Sequence, residues 1–287
     1  MTISGAAKLA GVVGWPVAHS LSPRLHACWI EQYGADAAYL PLAVRPEDFA
    51  VAINGLRLAG FRGVNVTIPH KEAAFALADR CDAAAEVAGA ANLLLFTEDG
   101  IEARNLDAAG LAAALNESLG TGALKGRPAI ILGAGGMARA AICALSDLGV
   151  SEIRILNRNK ARAESLAAAL VSTVKTRLSG AGLEDWHHAA GDARLLVNAT
   201  SAGMKGAPPL DLKLDVLPGD AAVFDAVYNP LETELLARAK ARGLRTVDGL
   251  GMLMNQAVPA FKAFFGVEPK VTPALRRVLE EALKHGG

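Results

Sequence analysis

Pro128-Ala129-Ile130-Ile131-Leu132-Gly133-Ala134-Gly135-Gly136-Met137-Ala138 is the stretch on which the reading of the fold turns. Five residues of strand length and apolar character run directly into a glycine-rich turn. Residues 137–148 follow with a helical pattern, Gly149 stops them, and residues 152–156 read as a second strand. Strand, turn, helix and strand make one βαβ unit. The alternation continues through a helix at 160–170, strands at 193–198 and 221–226, a helix at 231–242 and a strand at 245–247. Such alternation implies a parallel sheet covered on both faces.

Upstream, the same alternation is present but less regular. Strands are expected at 9–13, 38–43 and 63–68, and helices at 23–33, 46–59 and from residue 71 to 78. A length of 287 residues fits about two α/β domains. The last stretch, 252–283, is helical with expected breaks at Pro259 and Gly266.

Composition excludes several functional classes. Lys plus Arg and Asp plus Glu both number 29, with no dense basic run, so a nucleic-acid partner is not expected. Cys28, Cys81 and Cys143 are too few and too scattered for a disulfide framework or a CxxC metal site. A reducing cytoplasm is the expected location. No apolar run approaches the ~18 residues of a membrane span, and Gly11, Gly14 and Pro16 break the one near the N-terminus. His187-His188 lacks a third ligand at useful spacing, so no metal is expected.

Gly133, Ala134, Gly135, Gly136, Met137 and Ala138 fit G-x-G-x-x-A. The first glycine permits the tight turn, the second lets a pyrophosphate approach the backbone, and Ala138 permits close helix–strand packing. The helix N-terminus offers amides and partial positive charge to phosphates. An NAD site would place an acid at the end of the second strand. Here Asn157, Arg158 and Asn159 stand there, followed by Lys160 and Arg162. Guanidinium suits a 2′-phosphate, so NADP is expected ahead of NAD, although Arg158 is equally readable as a solvated surface charge.

Three further stretches carry a resemblance. Residues 14–26, Gly-Trp-Pro-Val-Ala-His-Ser-Leu-Ser-Pro-Arg-Leu-His, resemble the G-x-P-x-x-H-S-x-S-P-x-x-H signature of the shikimate dehydrogenases. Asn65-Val66-Thr67-Ile68-Pro69-His70-Lys71 is similar to their N-V-T-x-P-x-K, and Asn198-Ala199-Thr200-Ser201-Ala202-Gly203-Met204 to their N-x-T-x-x-G-M. Asp225 to Pro230 and Gly249 to Gln256 also have counterparts. The resemblance implies a substrate-binding and catalytic α/β domain at 1–108 and a Rossmann-type, doubly wound NADP-binding domain at 109–254, with helices 255–287 as candidates to pack back on the first.

It further implies that Ser20 and Ser22 bind a substrate carboxylate and that Lys71 and Asp107 form the catalytic pair. Asn65, Thr67, Asn92, Tyr228 and Gln256 match other substrate contacts, Thr200 falls on the cofactor side, and Gly249 lies near the nicotinamide. The implied partner is a small cyclic hydroxy acid, with the chain a monomer or homodimer. The chemistry agrees: oxidising a secondary alcohol removes a hydride and a proton, and a side chain must take the proton. A free lysine, with a pKa near ~10.4, is a poor base at neutral pH. A neighbouring carboxylate makes the two a coupled unit.

Local readings compete at some positions. Ser22-Pro23 is an expected N-cap and N1 pair, Lys71 reads locally as a first-turn surface lysine, and Asp107 as a second N-cap. His26 reads as packing. The chain also departs from the family pattern. Gly89-Ala90-Ala91-Asn92-Leu93 and Asn105-Leu106-Asp107 carry leucines where the pattern has threonines, Ala27 replaces an asparagine, and Asn159 a threonine. These changes leave open a divergent relative: a quinate- or aminoshikimate-type dehydrogenase using NAD, or a non-catalytic nucleotide-sensing paralogue.

Overall fold

A computed structural model describes residues 3–285. Its contacts divide the chain into two units, Met1–Leu106 with Leu253–Gly287, and Asp107–Met252.

The first unit contains β1 (Lys8–Gly14), α1 (Ser22–Gln32), β2 (Ala37–Ala43), α2 (Phe49–Leu58), β3 (Gly63–Val66), α3 (Lys71–Leu77), β4 (Arg80–Cys81), α4 (Ala83–Ala88), β5 (Leu93–Thr97) and β6 (Gly100–Arg104). The strands form one sheet in the order β2-β1-β3-β5-β6-β4. The β1–β2, β1–β3 and β4–β6 pairs are parallel, but β3–β5 and β5–β6 are antiparallel. The reading of plain βα alternation did not anticipate this. A two-residue loop at Glu98-Asp99 returns the chain as a hairpin, with Thr97 opposite Gly100. The short α4 was also unforeseen. Asp82 caps it, its Oδ1 accepting from the Ala85 amide at 2.7 Å, and Gly89 ends it in the left-handed region at φ 57°.

One core of this unit packs Phe49 and Ile53 of α2 against Val64, Val66, Leu94 and Ile101 of the sheet. A second group is aromatic. Trp29 of α1 meets Phe261 edge-on, and His26 lies flat on Tyr39 with ring centroids 3.8 Å apart.

The second unit begins with α5 (Asp107–Leu119). It continues with β7 (Pro128–Leu132), α6 (Gly136–Asp147), β8 (Glu152–Asn157), α7 (Lys160–Leu170), β9 (Arg177–Gly182), α8 (Trp186–Ala190), β10 (Leu195–Asn198), β11 (Ala222–Asp225), α9 (Glu234–Ala241) and β12 (Arg245–Val247). All six strands are parallel, in the order β12-β11-β10-β7-β8-β9. The chain winds outward one way from β7 and then the other way from β10, which is the doubly wound arrangement. Its core joins Ile130, Leu132 and Leu196 to Trp186, Leu235 and Leu236.

Two helices complete the chain, α10 (Gly249–Phe265) and α11 (Pro273–Lys284). The second boundary between units falls inside α10. The expected break at Pro259 does not occur: Pro259 lies within an unbroken 17-residue helix. An interior proline costs roughly 3 kcal/mol. Fully buried Phe261 and nearly buried Phe264 and Phe265 each gain roughly 1.5–3 kcal/mol, which offsets it. Gly266, with φ 82°, does end the helix. In the first unit α11 packs on α1, capped by Thr272, whose hydroxyl accepts from the Leu275 amide.

Candidate active site

In the first unit the candidate groups gather around β3 and the start of β5. Asn65 is buried; its Oδ1 accepts from the Tyr39 hydroxyl at 2.8 Å, and its Nδ2 donates to the Asn92 carbonyl at 3.2 Å. Asn92 is buried in turn. Its Oδ1 accepts from the Leu106 amide at 2.8 Å, and its Nδ2 donates to Gln256 Oε1 at 3.1 Å. Asn65, Asn92 and Gln256 thus form one connected amide series. Buried amides of this kind hold fixed orientations because every lost bond strands a polar atom.

Ser22 lies near Tyr39, and its hydroxyl favours the phenolate, the lesser of two opposing effects on that group. Burial pushes the Tyr39 phenol well above its ordinary pKa, so it is a neutral donor. Tyr39 was not among the residues singled out from the sequence. Its only signal was a tyrosine within the strand expected at 38–43. Ser22 is not the N-cap expected of it: α1 begins at Ser22 itself and Leu21 holds the N-cap position. Ser20, half-buried in the β1–α1 loop, accepts from the Ser22 amide at 3.3 Å. Thr67 is half-buried directly after β3, its amide bonded to the Val13 carbonyl at 2.9 Å.

Lys71 is the first residue of α3 and half-buried. Its own carbonyl accepts from Ala91 at 2.9 Å, tying the helix start to the strand that follows Asn92. The preceding His70 is buried, bonds the Val44 carbonyl at 2.8 Å and stacks on Phe49. His26 is fully buried, and burial lowers its pKa to about 3, so it is neutral packing. Leu93 is completely buried and Leu106 is 8% exposed.

In the second unit Asp107 opens α5 and is buried. Gly133 ends β7 with φ 105°; a Cβ there would lie 2.9 Å from Thr200 Cγ2. Only glycine suits that conformation and that contact. Gly135, the N-cap of α6, is the opposite case. It is exposed, and a Cβ added there would meet no atom within 4 Å. No side chain caps α6, so no capping group takes up its first amides. Gly136 has open space as well, while Ala138 is fully buried against the sheet. Ala134 and Met137 are half-buried. This turn lies at the β7/β10 switch point, where doubly wound sheets bind ligands, and it fits a pyrophosphate.

At the end of β8, Asn157 Nδ2 donates to the Asn159 carbonyl at 3.0 Å, and Asn159 caps α7, accepting from the Arg162 amide. The two asparagines build the turn and leave Arg158 and Arg162 exposed for an anionic group. Thr200 donates through its amide and hydroxyl to Asn198 Oδ1 at 3.0 and 2.7 Å. Gly249 opens α10; a Cβ there would come 2.4 Å from the Ala226 carbonyl oxygen. Tyr228 is half-buried just after β11, and His187 and His188 are exposed.

The structure therefore brings together Ser22, Asn65, Asn92 and Gln256 in the first unit, and Gly133 with Thr200 in the second. Lys71 belongs to the first unit and Asp107 to the second. No helix among the described residues is long and apolar enough to cross a membrane.

One unit with a doubly wound sheet and an open glycine turn, and another α/β unit carrying buried amides and a helix-start lysine, define the class: a two-domain dinucleotide-dependent oxidoreductase. Residues 12–94 match the shikimate dehydrogenase substrate binding domain, and residues 115–205 match shikimate / quinate 5-dehydrogenase. The chain is 50% identical over 278 residues to the shikimate dehydrogenase (NADP(+)) of Paramagnetospirillum magneticum, covering 96% of this chain and 98% of that one. Among solved structures, shikimate 5-dehydrogenase from Thermus thermophilus in complex with NADP(H) and shikimate superposes with a TM-score of 0.82 at 37% identity, covering 97% and 99% of the two chains. Quinate dehydrogenase from Corynebacterium glutamicum in complex with NAD gives 0.86 at 29% identity, covering 97% and 99%. The chain belongs to the shikimate dehydrogenase family.

Proposed function

We propose that this protein catalyses the reversible, NADP-dependent reduction of 3-dehydroshikimate to shikimate in the cytoplasm. The observation that carries the reading is half identity over nearly the whole chain to a shikimate dehydrogenase (NADP(+)), with Ser20, Ser22, Lys71 and Asp107 all present. When bound, NADP supplies the hydride acceptor, or NADPH the donor. The chain's residues do the rest. Gly133, Ala134, Gly135, Gly136, Met137 and Ala138 receive the pyrophosphate. Arg158 and Arg162, on the turn built by Asn157 and Asn159, receive the 2′-phosphate. Thr200 and Gly249 shape the cofactor's surroundings. Ser20 and Ser22 hold the ring carboxylate, and Asn65, Thr67, Asn92, Tyr228 and Gln256 orient the ring hydroxyls. Lys71 and Asp107, acting as one acid–base unit, take the proton of the alcohol being oxidised and return it to the carbonyl oxygen in the other direction. The assembly is a monomer or homodimer.

The test is a substrate panel: shikimate and quinate, each with NADP and with NAD, comparing kcat/KM. The reading expects the highest value for shikimate with NADP. A maximum for quinate with NAD would transfer the chain to the quinate branch, and no turnover with any pair would leave a nucleotide-binding paralogue.

A further inference from the structure

At the carboxyl ends of β10 and β11 lies a polar network to which the proposed chemistry assigns no role, although Asn198 and Asp225 open two of the matched motifs. Asp225, Asn198 and Thr233 are each completely buried. Asp225 Oδ1 accepts from Asn198 Nδ2 at 2.8 Å and from the Val227 amide at 3.0 Å, and its Oδ2 accepts from the Thr233 hydroxyl at 2.7 Å. One carboxylate thus takes three donors from three different segments. Burial pushes its pKa up, and the bonds from Thr233, Val227 and Asn198 oppose that.

Two of these connections lead to candidate nucleotide and substrate contacts. Asn198 passes the constraint to Thr200 through its Oδ1, and Thr200 is the residue against which Gly133 packs. The Val227 amide fixes the backbone one residue before Tyr228. Ala226, between Asp225 and Val227, presents the carbonyl that Gly249 approaches. A buried carboxylate held by hydrogen bonds of this length resists displacement, because moving it strands several donors at once.

We propose that Asp225 is a positioning residue for nucleotide binding: it sets the Thr200 loop against the Gly133 turn and fixes the segment that carries Tyr228. The inference rests on the nucleotide reading of the second unit. Asp225 touches neither cofactor nor substrate and acts only through Asn198 and the Val227 amide.

The experiment compares Asp225→Val with Asp225→Asn in the full-length protein. NADPH binding is followed by fluorescence titration without substrate, and KM for NADPH and kcat are measured alongside. Valine removes both oxygens, leaving the Val227 amide and the Thr233 hydroxyl without this acceptor and Asn198 Nδ2 with the Ala202 carbonyl alone. Asparagine keeps an oxygen for Asn198 and Val227, and its amide can donate to Thr233. Asp225→Val is expected to raise the NADPH Kd about tenfold or more, with KM for NADPH rising in parallel, and Asp225→Asn to restore it to within about threefold of wild type. If Asp225→Val does not fold, Thr233→Val carries the same test with Thr233→Ser as its rescue: about a threefold rise in Kd for valine, reversed by serine. Wild-type NADPH affinity in Asp225→Val, or in Thr233→Val where that variant is used, overturns the inference alone. A wild-type chain that binds neither NADPH nor NADH overturns the nucleotide reading and the inference with it.

Discussion

The two units fix their candidate functional groups by opposite means. In the first, side chain holds side chain: Tyr39 bonds Asn65, Asn65 bonds the Asn92 carbonyl, and Asn92 bonds Gln256. In the second, the glycine-rich turn after β7 depends on atoms that are missing. Gly133 has no room for a Cβ, Gly135 has room that nothing fills, and no side chain caps α6. A site made of interlocked side chains fails when groups are removed. A site made of bare backbone fails when groups are added. The variants below test that contrast, in descending size of effect.

The largest effect is expected from Leu93→Thr combined with Leu106→Thr. These leucines stand where the family pattern has threonines, and that departure raised the prospect of an altered substrate. Both side chains are buried in the first unit, however, and it is the Leu106 amide that serves Asn92. Large-to-small changes in a packed interior cost about 2–5 kcal/mol. The double variant should therefore unfold at lower urea with no gain in kcat/KM for shikimate. Improved shikimate turnover at unchanged stability would show that the two positions face the ligand, and would restore the divergent-relative reading.

Two single substitutions then separate the units. Lys71→Ala should lower kcat by at least ~10²-fold, the usual floor for losing an acid–base group, and leave NADP affinity unchanged. A near-normal kcat would remove Lys71 from its assigned role. Arg158→Asp should do the reverse. It weakens NADP and spares or improves NAD, because a charge-assisted bond to phosphate is worth roughly 1.5–3 kcal/mol, or one to two decades in Kd. Equal loss for both nucleotides would place Arg158 away from the 2′-phosphate.

The same contrast explains what could be read from the sequence. The second unit's strands are short apolar runs, the first of them closed by Gly133, so β7, β8, β10 and β11 stood out. The exception is β9, Arg177-Leu178-Ser179-Gly180-Ala181-Gly182, which is an edge strand pairing only with β8. An edge strand needs no apolar face on both sides. Gly180 is there for another reason: a Cβ would lie 2.4 Å from the Ala163 backbone of α7. In the first unit the β5–β6 hairpin did carry a local signal, Gly100 with φ 120° directly after the two-residue Glu98-Asp99 loop. The βα rhythm on either side masked it. Pro259 misled for a related reason, since its penalty is local and the aromatic burial that outweighs it is not. At the site, the glycine turn was legible because its requirement is written in adjacent residues. Tyr39 was not, because its bond to Asn65 joins residues 26 positions apart on strands separated by β1 in the sheet.

The smallest effect is the sharpest test of a site made of absent atoms. At Gly135 the backbone is extended, with φ −104°, so alanine is sterically allowed, and its methyl would meet no protein atom within 4 Å. Replacing glycine stiffens the unfolded chain, a gain of about 0.4–1 kcal/mol. Alanine is also the poorer N-cap, which costs about as much. The two terms oppose, so the melting temperature of Gly135→Ala should stay within about 4 °C of wild type. Its NADP Kd should nonetheless rise about tenfold, or 1.4 kcal/mol, because the methyl stands where a pyrophosphate must approach the backbone. Gly133→Ala provides the control. There φ is 105° and Thr200 is 2.9 Å away, so stability and binding should fall together. Calorimetric titration with NADP beside a thermal melt distinguishes the two. If Gly135→Ala binds NADP as wild type does, the open space above that residue is not the pyrophosphate's, and the second unit's site would have to be sought elsewhere along the carboxyl ends of its strands.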